Sequence, residues 1–355
     1  MTLYIVLMVL LCITTAVELR QKQERSIAGI RTVSTHTTVL IPLLLLVFLG
    51  VFREVTVGFD AQTYYNNYWL KTDSYTWKYL FTNFSMDNGF ALLLKVFSLF
   101  TNNWWLARAL LFLLSFLLYY KVIAKESPSP SMSLIIFLGL NMLGLMFGIL
   151  RQALAGAISF GAYNQLRKGS WFKCLLLILI ACTIHKTALL CVFMLVMHFL
   201  RMKKLTGIKL ITISLLSYGV IFLAIPLITR LYAGSRYYGI AGNNGGYGML
   251  LFIIVVLLLL GYLMRITDAY RDNELTYLFN LSCGALFIQV GALQWSLLNR
   301  TTAFFSIYWC ILIPKLIIRL PQRKRWICYF AVIALFGFMF FYQLTDVELF
   351  VMHKF

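Results

Sequence analysis

The sequence predicts an all-α, polytopic integral membrane protein of about 12 transmembrane helices, with short or re-entrant helices around an outward-facing cavity. Three observations carry that reading. Of the 355 residues, 61% are hydrophobic and 12% charged, whereas soluble domains carry about 25% charged residues. Apolar runs recur from end to end with no long polar segment between them, so residues 1–355 read as one membrane domain. The formal net charge of +19 is confined to short loops between those runs, the pattern that orients a chain in a bilayer. Anionic lipid headgroups and phosphate-bearing lipids are therefore the expected partners, and nucleic acid is not.

Tyr4 to Val17 forms the first apolar run; it lacks a basic leader and a small-residue cleavage site, so it reads as a retained helix. The basic loop Arg20 to Arg31 lies inside by the positive-inside rule. Val39 to Phe52 returns outward and delivers Arg53 to Asp60 to the outer face. Residues 53–103 form the first main outer loop, within which Phe90 to Phe100 is too short to span and reads as an amphipathic surface helix. Trp104 to Ile123 spans inward to Lys121 and Lys125, and the Ser127–Ser131 turn, with Pro128 and Pro130, breaks the chain sharply.

Met132 to Leu150 leads to Arg151, and Ala153 to Leu166 leads away to Arg167, Lys168 and Lys173. Leu175 to Ile184 leads to His185-Lys186, and Thr187 to Leu200 leads to Arg201, Lys203, Lys204 and Lys209. Two hairpins with tips at Arg151 and His185 keep every basic cluster inside. The alternative is a pair of long helices, 132–166 and 171–200, which would place Arg167 and Lys168 outside. Further on, Ile208 to Leu227 spans to the second main outer loop, 229–248, with Arg236, Tyr237 and a Gly/Asn-rich run. Leu250 to Met264, Tyr277 to Leu298, Thr301 to Ile318 and Trp326 to Tyr342 complete the spans, with Asn299-Arg300 at an outer tip.

The charge placement points to a site. Arg53, Arg108, Arg151, Arg230, Arg236 and Arg300, with His185 and Lys186, sit singly at helix ends on one face. One such arginine is an ordinary snorkelling anchor. Several at one depth favour an anionic ligand, because the planar guanidinium fork matches phosphate oxygens and stays charged in a partly dry site. The seven cysteines lie in apolar segments without a C-x-x-C pair and read as packing thiols. No metal-ligand spacing stands out, and neither a metal nor another cofactor is expected.

The motifs run in order: Arg53-x-x-x-Val57-Gly58-x-Asp60-x-x-x-Tyr64; Asn88-Gly89-Phe90; Leu150-Arg151-Gln152-x-Leu154-Ala155; Ile180-Ala181-x-x-Ile184-His185-Lys186-x-Ala188-Leu189; and Asn299-Arg300 before a span containing Pro314. In this order they resemble the EpsG family of Wzy-type polymerases of bacterial exopolysaccharide, capsule and O-antigen, over nearly the whole chain. One departure is Asn88, where the family pattern has an acidic residue; Asp87 stands beside it.

The resemblance implies a glycosyltransferase of the bacterial cytoplasmic membrane, joining undecaprenyl-diphosphate-linked oligosaccharide repeats, as donor and acceptor, on the outer (periplasmic) side. A flippase and a chain-length regulator are the implied protein partners. Arg151 and Arg300 would support the charge on the departing diphosphate, with Arg53 and Arg236 assisting. Asp60 and His185 compete to remove the proton of the attacking hydroxyl. Tyr64, Tyr65 and Tyr237 would stack on sugars, and the motif residues Gln152, Lys186 and Asn299 complete the substrate-binding set. An O-antigen ligase or another lipid-dependent glycosyltransferase would share these features, and a transporter of the same lipid is the reading from a different class. Cations clustered at one face favour chemistry there over a path open to both faces.

Overall fold

The computed structural model describes residues 2–27, 38–54, 57, 58, 60–72, 74, 76–82, 88–199, 205, 207–231 and 246–344. Among them every regular element is helical. The chain divides into two compact units: unit 1 comprises Met1–Val192 and Pro321–Phe355, and unit 2 comprises Phe193–Leu320.

Unit 1 begins with α1 (Thr2–Ile27) and α2 (Leu40–Val51), followed by the short α3 (Ala61–Asn67), α4 (Trp77–Thr82) and α5 (Asn88–Ser98). The long α6 (Trp104–Glu126) starts at Asn103, whose side chain accepts from the Trp105 N–H at 2.9 Å, the usual way to satisfy a first-turn donor. The segment after the proline turn is broken twice. α7 (Pro130–Gly139) ends at Asn141, which adopts a left-handed conformation with φ +58°, and α8 (Met142–Gly148) leaves at 59° to it. A second break at Ile149 precedes α9 (Leu150–Arg167), and α10 (Trp171–Ile184) packs along α9. The sequence placed breaks beside Arg151 and at His185, and the helices do end there: Arg151 lies in the first turn of α9, and His185 closes α10 in extended backbone.

A buried carboxylate fixes the start of α7. Glu18 of α1 is fully buried and accepts from the Ser129 hydroxyl at 2.6 Å, the Ser131 hydroxyl at 2.8 Å and the Ser131 N–H at 3.3 Å. It does for the helix N-terminus what a capping side chain does, from another helix. α17 (Gln322–Val332) and α18 (Phe338–Leu344) return to unit 1 through a π-helical turn, Ile333–Gly337. Gly139 of α7 is there because a Cβ would stand 2.5 Å from the Phe336 carbonyl oxygen.

Unit 2 holds α11 (Phe193–Phe199), α12 (Gly207–Leu231), α13 (Tyr247–Ile266), α14 (Asn273–Ala292), α15 (Ala303–Ser306) and α16 (Trp309–Ile317), with a 3₁₀ segment Ser296–Thr302 carrying Asn299 and Arg300. α14 starts on Asp272, whose Oδ1 accepts from the N–H groups of Glu274 at 2.9 Å and Leu275 at 3.2 Å. Its Oδ2 pairs with Arg319 at 2.5 Å. Burial alone would raise the Asp272 carboxyl, but Arg319 and the two backbone donors outweigh it and hold the group below its ordinary range.

Six helices among the described residues are long and apolar enough to cross a membrane, or seven if α7 and α8 count as one bent span. This is fewer than the expected count, and the difference has a physical cause. Leu40–Val51, Asn88–Ser98, Trp171–Ile184 and Lys186–Phe199 are apolar but short, below the about 20 residues that a span needs. The fold class stands: an all-α, multi-pass membrane protein.

Candidate functional site

The Arg53–Asp60 loop is seated against the break between α8 and α9. Arg53 is 1% exposed; its Nη1 donates to the Met146 carbonyl at 3.3 Å, and its guanidinium carbon lies 4.1 Å from the centroid of the Phe147 ring. Arg108, 2% exposed in the first turns of α6, donates from Nη2 to the Glu54 carbonyl at 3.0 Å. It stands close enough to Arg53 for the two cations to repel. Two buried guanidinium groups therefore hold two consecutive points of the loop.

Gly58 completes the seating. It has φ +122°, and a Cβ on it would stand 2.3 Å from the Phe147 carbonyl oxygen and 2.8 Å from the Gly148 Cα. Only glycine fits both the conformation and the space. Two residues on, the Asp60 N–H donates to the Gly148 carbonyl at 3.3 Å, and the Asp60 carbonyl accepts the first bond of α3 from Tyr64 N–H at 3.0 Å. The loop thus sets Asp60 at the mouth of α3 and beside the start of α9.

Arg151 meets this arrangement from the other side. Its guanidinium hydrogen-bonds the Tyr64 hydroxyl and lies 5.2 Å from the Tyr68 ring centroid and 6.0 Å from that of Tyr64, within cation–π range. Burial pushes the Tyr64 hydroxyl up to about 12; Arg151 acts against that shift and the nearby Asp60 charge adds to it. Asp60, Tyr64 and Arg151 form one electrostatic cluster. Its position on the first turn of an 18-residue helix adds the helix's own unpaired N–H groups and dipole, an environment that favours an anion.

The Asn88-Gly89-Phe90 motif joins this cluster to the His185 turn. Phe90 is fully buried, with its ring 5.6 Å from that of Tyr64 and 5.7 Å from that of Tyr68. Gly89 is pressed onto α10: a Cβ there would stand 2.5 Å from the Thr183 hydroxyl. His185, two residues further on, is half-buried and Lys186 exposed. Tyr65 packs on Trp104, with ring centroids 6.2 Å apart, and Gln152 is buried behind Arg151 on α9.

The charges of unit 1 are sorted by end. On α6 Arg108 and Glu126 lie 18 residues apart, and on α9 Arg151 and Arg167 lie 16 apart, about 24–27 Å of helix. Glu126 is buried and ion-paired with Arg167 and, at 3.4 Å, with Lys125. Arg53, Arg108 and Arg151 thus occupy one end, and the Glu126–Arg167 pair the other.

In unit 2 Arg300 is half-buried on its 3₁₀ segment, and Asn299 accepts at Oδ1 from Gln289 Nε2 at 2.5 Å. Arg236 and Tyr237 lie outside the described residues. Sequence reasoning named two further contributors in unit 1, Tyr68 and Arg108, without assigning either a role at the site. Tyr68 was signalled by its i,i+4 spacing from Tyr64, which puts both rings on one helix face. Arg108 was seen only as one helix-end cation among several. No group of three His, Cys, Asp or Glu that could hold a metal occurs among the described residues.

No curated protein and no solved structure matches the chain. A family model does, over residues 36–355, a stretch that contains every motif described above. The chain belongs to the EpsG family.

Proposed function

We propose that this protein joins undecaprenyl-diphosphate-linked oligosaccharide repeats into a surface polysaccharide, by glycosyl transfer at the outer face of the cytoplasmic membrane. The observation that carries the reading is the Asp60–Tyr64–Arg151 cluster, built where a glycine-seated loop meets the first turn of α9. Family membership supports the polymerase class.

In the reaction the acceptor hydroxyl attacks the anomeric carbon of the donor sugar. The bond from that carbon to the diphosphate oxygen breaks, and the diphosphate leaves with the electron pair. Arg151 supports the charge that develops there, and a fixed cation in a water-poor site stabilises a transition state more than solvent can. Tyr64 hydrogen-bonds the guanidinium, and the Tyr68 ring lies 5.2 Å from it. The proton of the attacking hydroxyl passes to Asp60 or His185. Gln152, Lys186 and Tyr65 complete the substrate contacts of unit 1 in this reading; Asn299, Arg300, Arg236 and Tyr237 enter it as substrate-binding residues from the sequence alone. Arg53 and Arg108 serve it by holding the loop. Cations take the place of a metal at the diphosphate.

Deleting the gene in its host and running the surface polysaccharide on a gel tests the class. Loss of long chains with single repeats retained is the expected result. Intact polymer left unattached to its acceptor would identify a ligase instead.

A further inference from the structure

We infer that Tyr68 is a positioning residue for Arg151, acting through its ring, and that Tyr64 positions the same guanidinium through its hydroxyl. The inference rests on the proposed function and deepens it by giving the two aromatic neighbours of Arg151 separate tasks.

Tyr64 lies in the middle of α3 and Tyr68 is its C-cap; four residues apart, they fall on one side of the helix. Their ring centroids are 5.9 Å apart. Phe90 of α5, fully buried, lies 5.6 Å from the Tyr64 ring and 5.7 Å from the Tyr68 ring, edge-on to the latter at 81°. Each ring of this trio touches the other two, so none can turn without displacing another. The trio is anchored at both ends. Gly89 lies against Thr183 of α10, and α3 begins at Asp60, whose N–H is bonded to Gly148.

Arg151 meets the trio at two points. A guanidinium only donates, so the Tyr64 oxygen is the acceptor of their bond, and it accepts from the Arg151 backbone N–H as well. That N–H belongs to the first turn of α9, where helix donors have no partner within the helix. Tyr64 thus fixes Arg151 at main chain and side chain together. At Tyr68 the contact is with the ring: the guanidinium carbon lies 5.2 Å from its centroid, nearer than the 6.0 Å to that of Tyr64. An aromatic ring attracts a cation without neutralising it, which leaves the charge available to a departing diphosphate. A carboxylate in the same place would compete with the diphosphate for it.

The rate to follow is release of undecaprenyl diphosphate from a lipid-linked repeat by purified protein, because every glycosyl transfer from this lipid yields it. Tyr68→Leu should lower kcat about tenfold or more, the scale of one desolvated cation–π contact, with KM within about threefold. Tyr68→Phe keeps the ring and should restore kcat to within about twofold of wild type, whereas Tyr64→Phe loses the oxygen and should fall about tenfold or more. In an Arg151→Gln background Tyr68→Leu should cost less than about threefold further, since residues that act through one another are not additive. Full additivity with Arg151→Gln, a raised KM with kcat kept, or loss of activity in Tyr68→Phe would each overturn the positioning role. If Tyr68→Leu fails to reach the membrane, Tyr68→Met is judged by the same readouts. A thermal shift in detergent needs no turnover and uses undecaprenyl diphosphate, whose terminal phosphate carries the charge that develops at the leaving oxygen. It should stabilise the wild type and Tyr68→Phe alike and Tyr68→Leu less; equal shifts in all three, zero included, would overturn the assignment. A wild type that releases undecaprenyl diphosphate, or is stabilised by it, while making no polymer would sink the polymerase reading and leave the positioning role standing.

Discussion

Gly58→Ala places the smallest possible side chain where the loop meets the α8–α9 break. The added Cβ would lie 2.3 Å from the Phe147 carbonyl oxygen, 2.7 Å from its carbonyl carbon and 2.8 Å from the Gly148 Cα. All three are backbone atoms in a break already held by Arg53 through Met146 and Phe147, so no side chain can rotate away. Forcing an L residue into this backbone region costs about 1–3 kcal/mol, and overpacking adds about 1–3 kcal/mol. The cheaper response is for the loop to lift from Gly148, which breaks the Asp60 N–H bond and shifts Asp60 and α3. A misplacement of about 1 Å at reacting groups costs roughly a hundredfold in rate. At matched membrane abundance, Gly58→Ala should therefore polymerise a lipid-linked repeat at about 1% of the wild-type rate or less. The control is Gly161→Ala on α9, where a Cβ meets nothing within 4 Å. It should be active and, if anything, more stable by up to about 1 kcal/mol. Wild-type activity in Gly58→Ala would refute the claim that the seated loop positions the site.

Single cysteines at positions 167 and 186 of an otherwise cysteine-free variant should label oppositely with an impermeant maleimide in intact cells, with Lys186→Cys reactive and Arg167→Cys protected; the reverse pattern would invert the topology. Purified enzyme should extend a lipid-linked repeat in excess EDTA, and activity that vanishes with chelator and returns with Mg²⁺ would place a metal in the site. Asp272→Ala should destabilise unit 2 by about 1 kcal/mol, the ordinary cost of a lost N-cap, read as a lower melting temperature in detergent. Because the folded state holds this carboxyl below its ordinary range, the contribution is full above about pH 4 and fades as pH falls through the depressed value. The gap between wild type and Asp272→Asn should close in that direction, and a gap that widens on acidification would contradict the assignment.

Much of unit 1 was legible because charge in an apolar sequence is conspicuous. Arg151 and His185-Lys186 each close an apolar run with a charge, and the helices break beside them. Gly58 stood in the motif between Arg53 and Asp60, but nothing local named Phe147 and Gly148 as the surface that requires it, since that contact joins residues about 90 positions apart. Glu18 shows the converse. It is the one acidic residue of the apolar stretch Thr2–Gln21, yet its serine partners lie 111 and 113 positions away. The span count was not legible, because hydropathy registers apolar runs without showing which are long enough to cross.

The most direct test of the central claim is the length of polymer made by Arg151→Lys at matched membrane abundance. Lysine keeps the charge and snorkels as well as arginine, but it loses the planar fork that meets Tyr64 and would meet the diphosphate. Loss of one such donor costs roughly a hundredfold or more in rate, so only single repeats and very short chains are expected. Full-length polymer from Arg151→Lys would remove Arg151 from the chemistry and contradict the account.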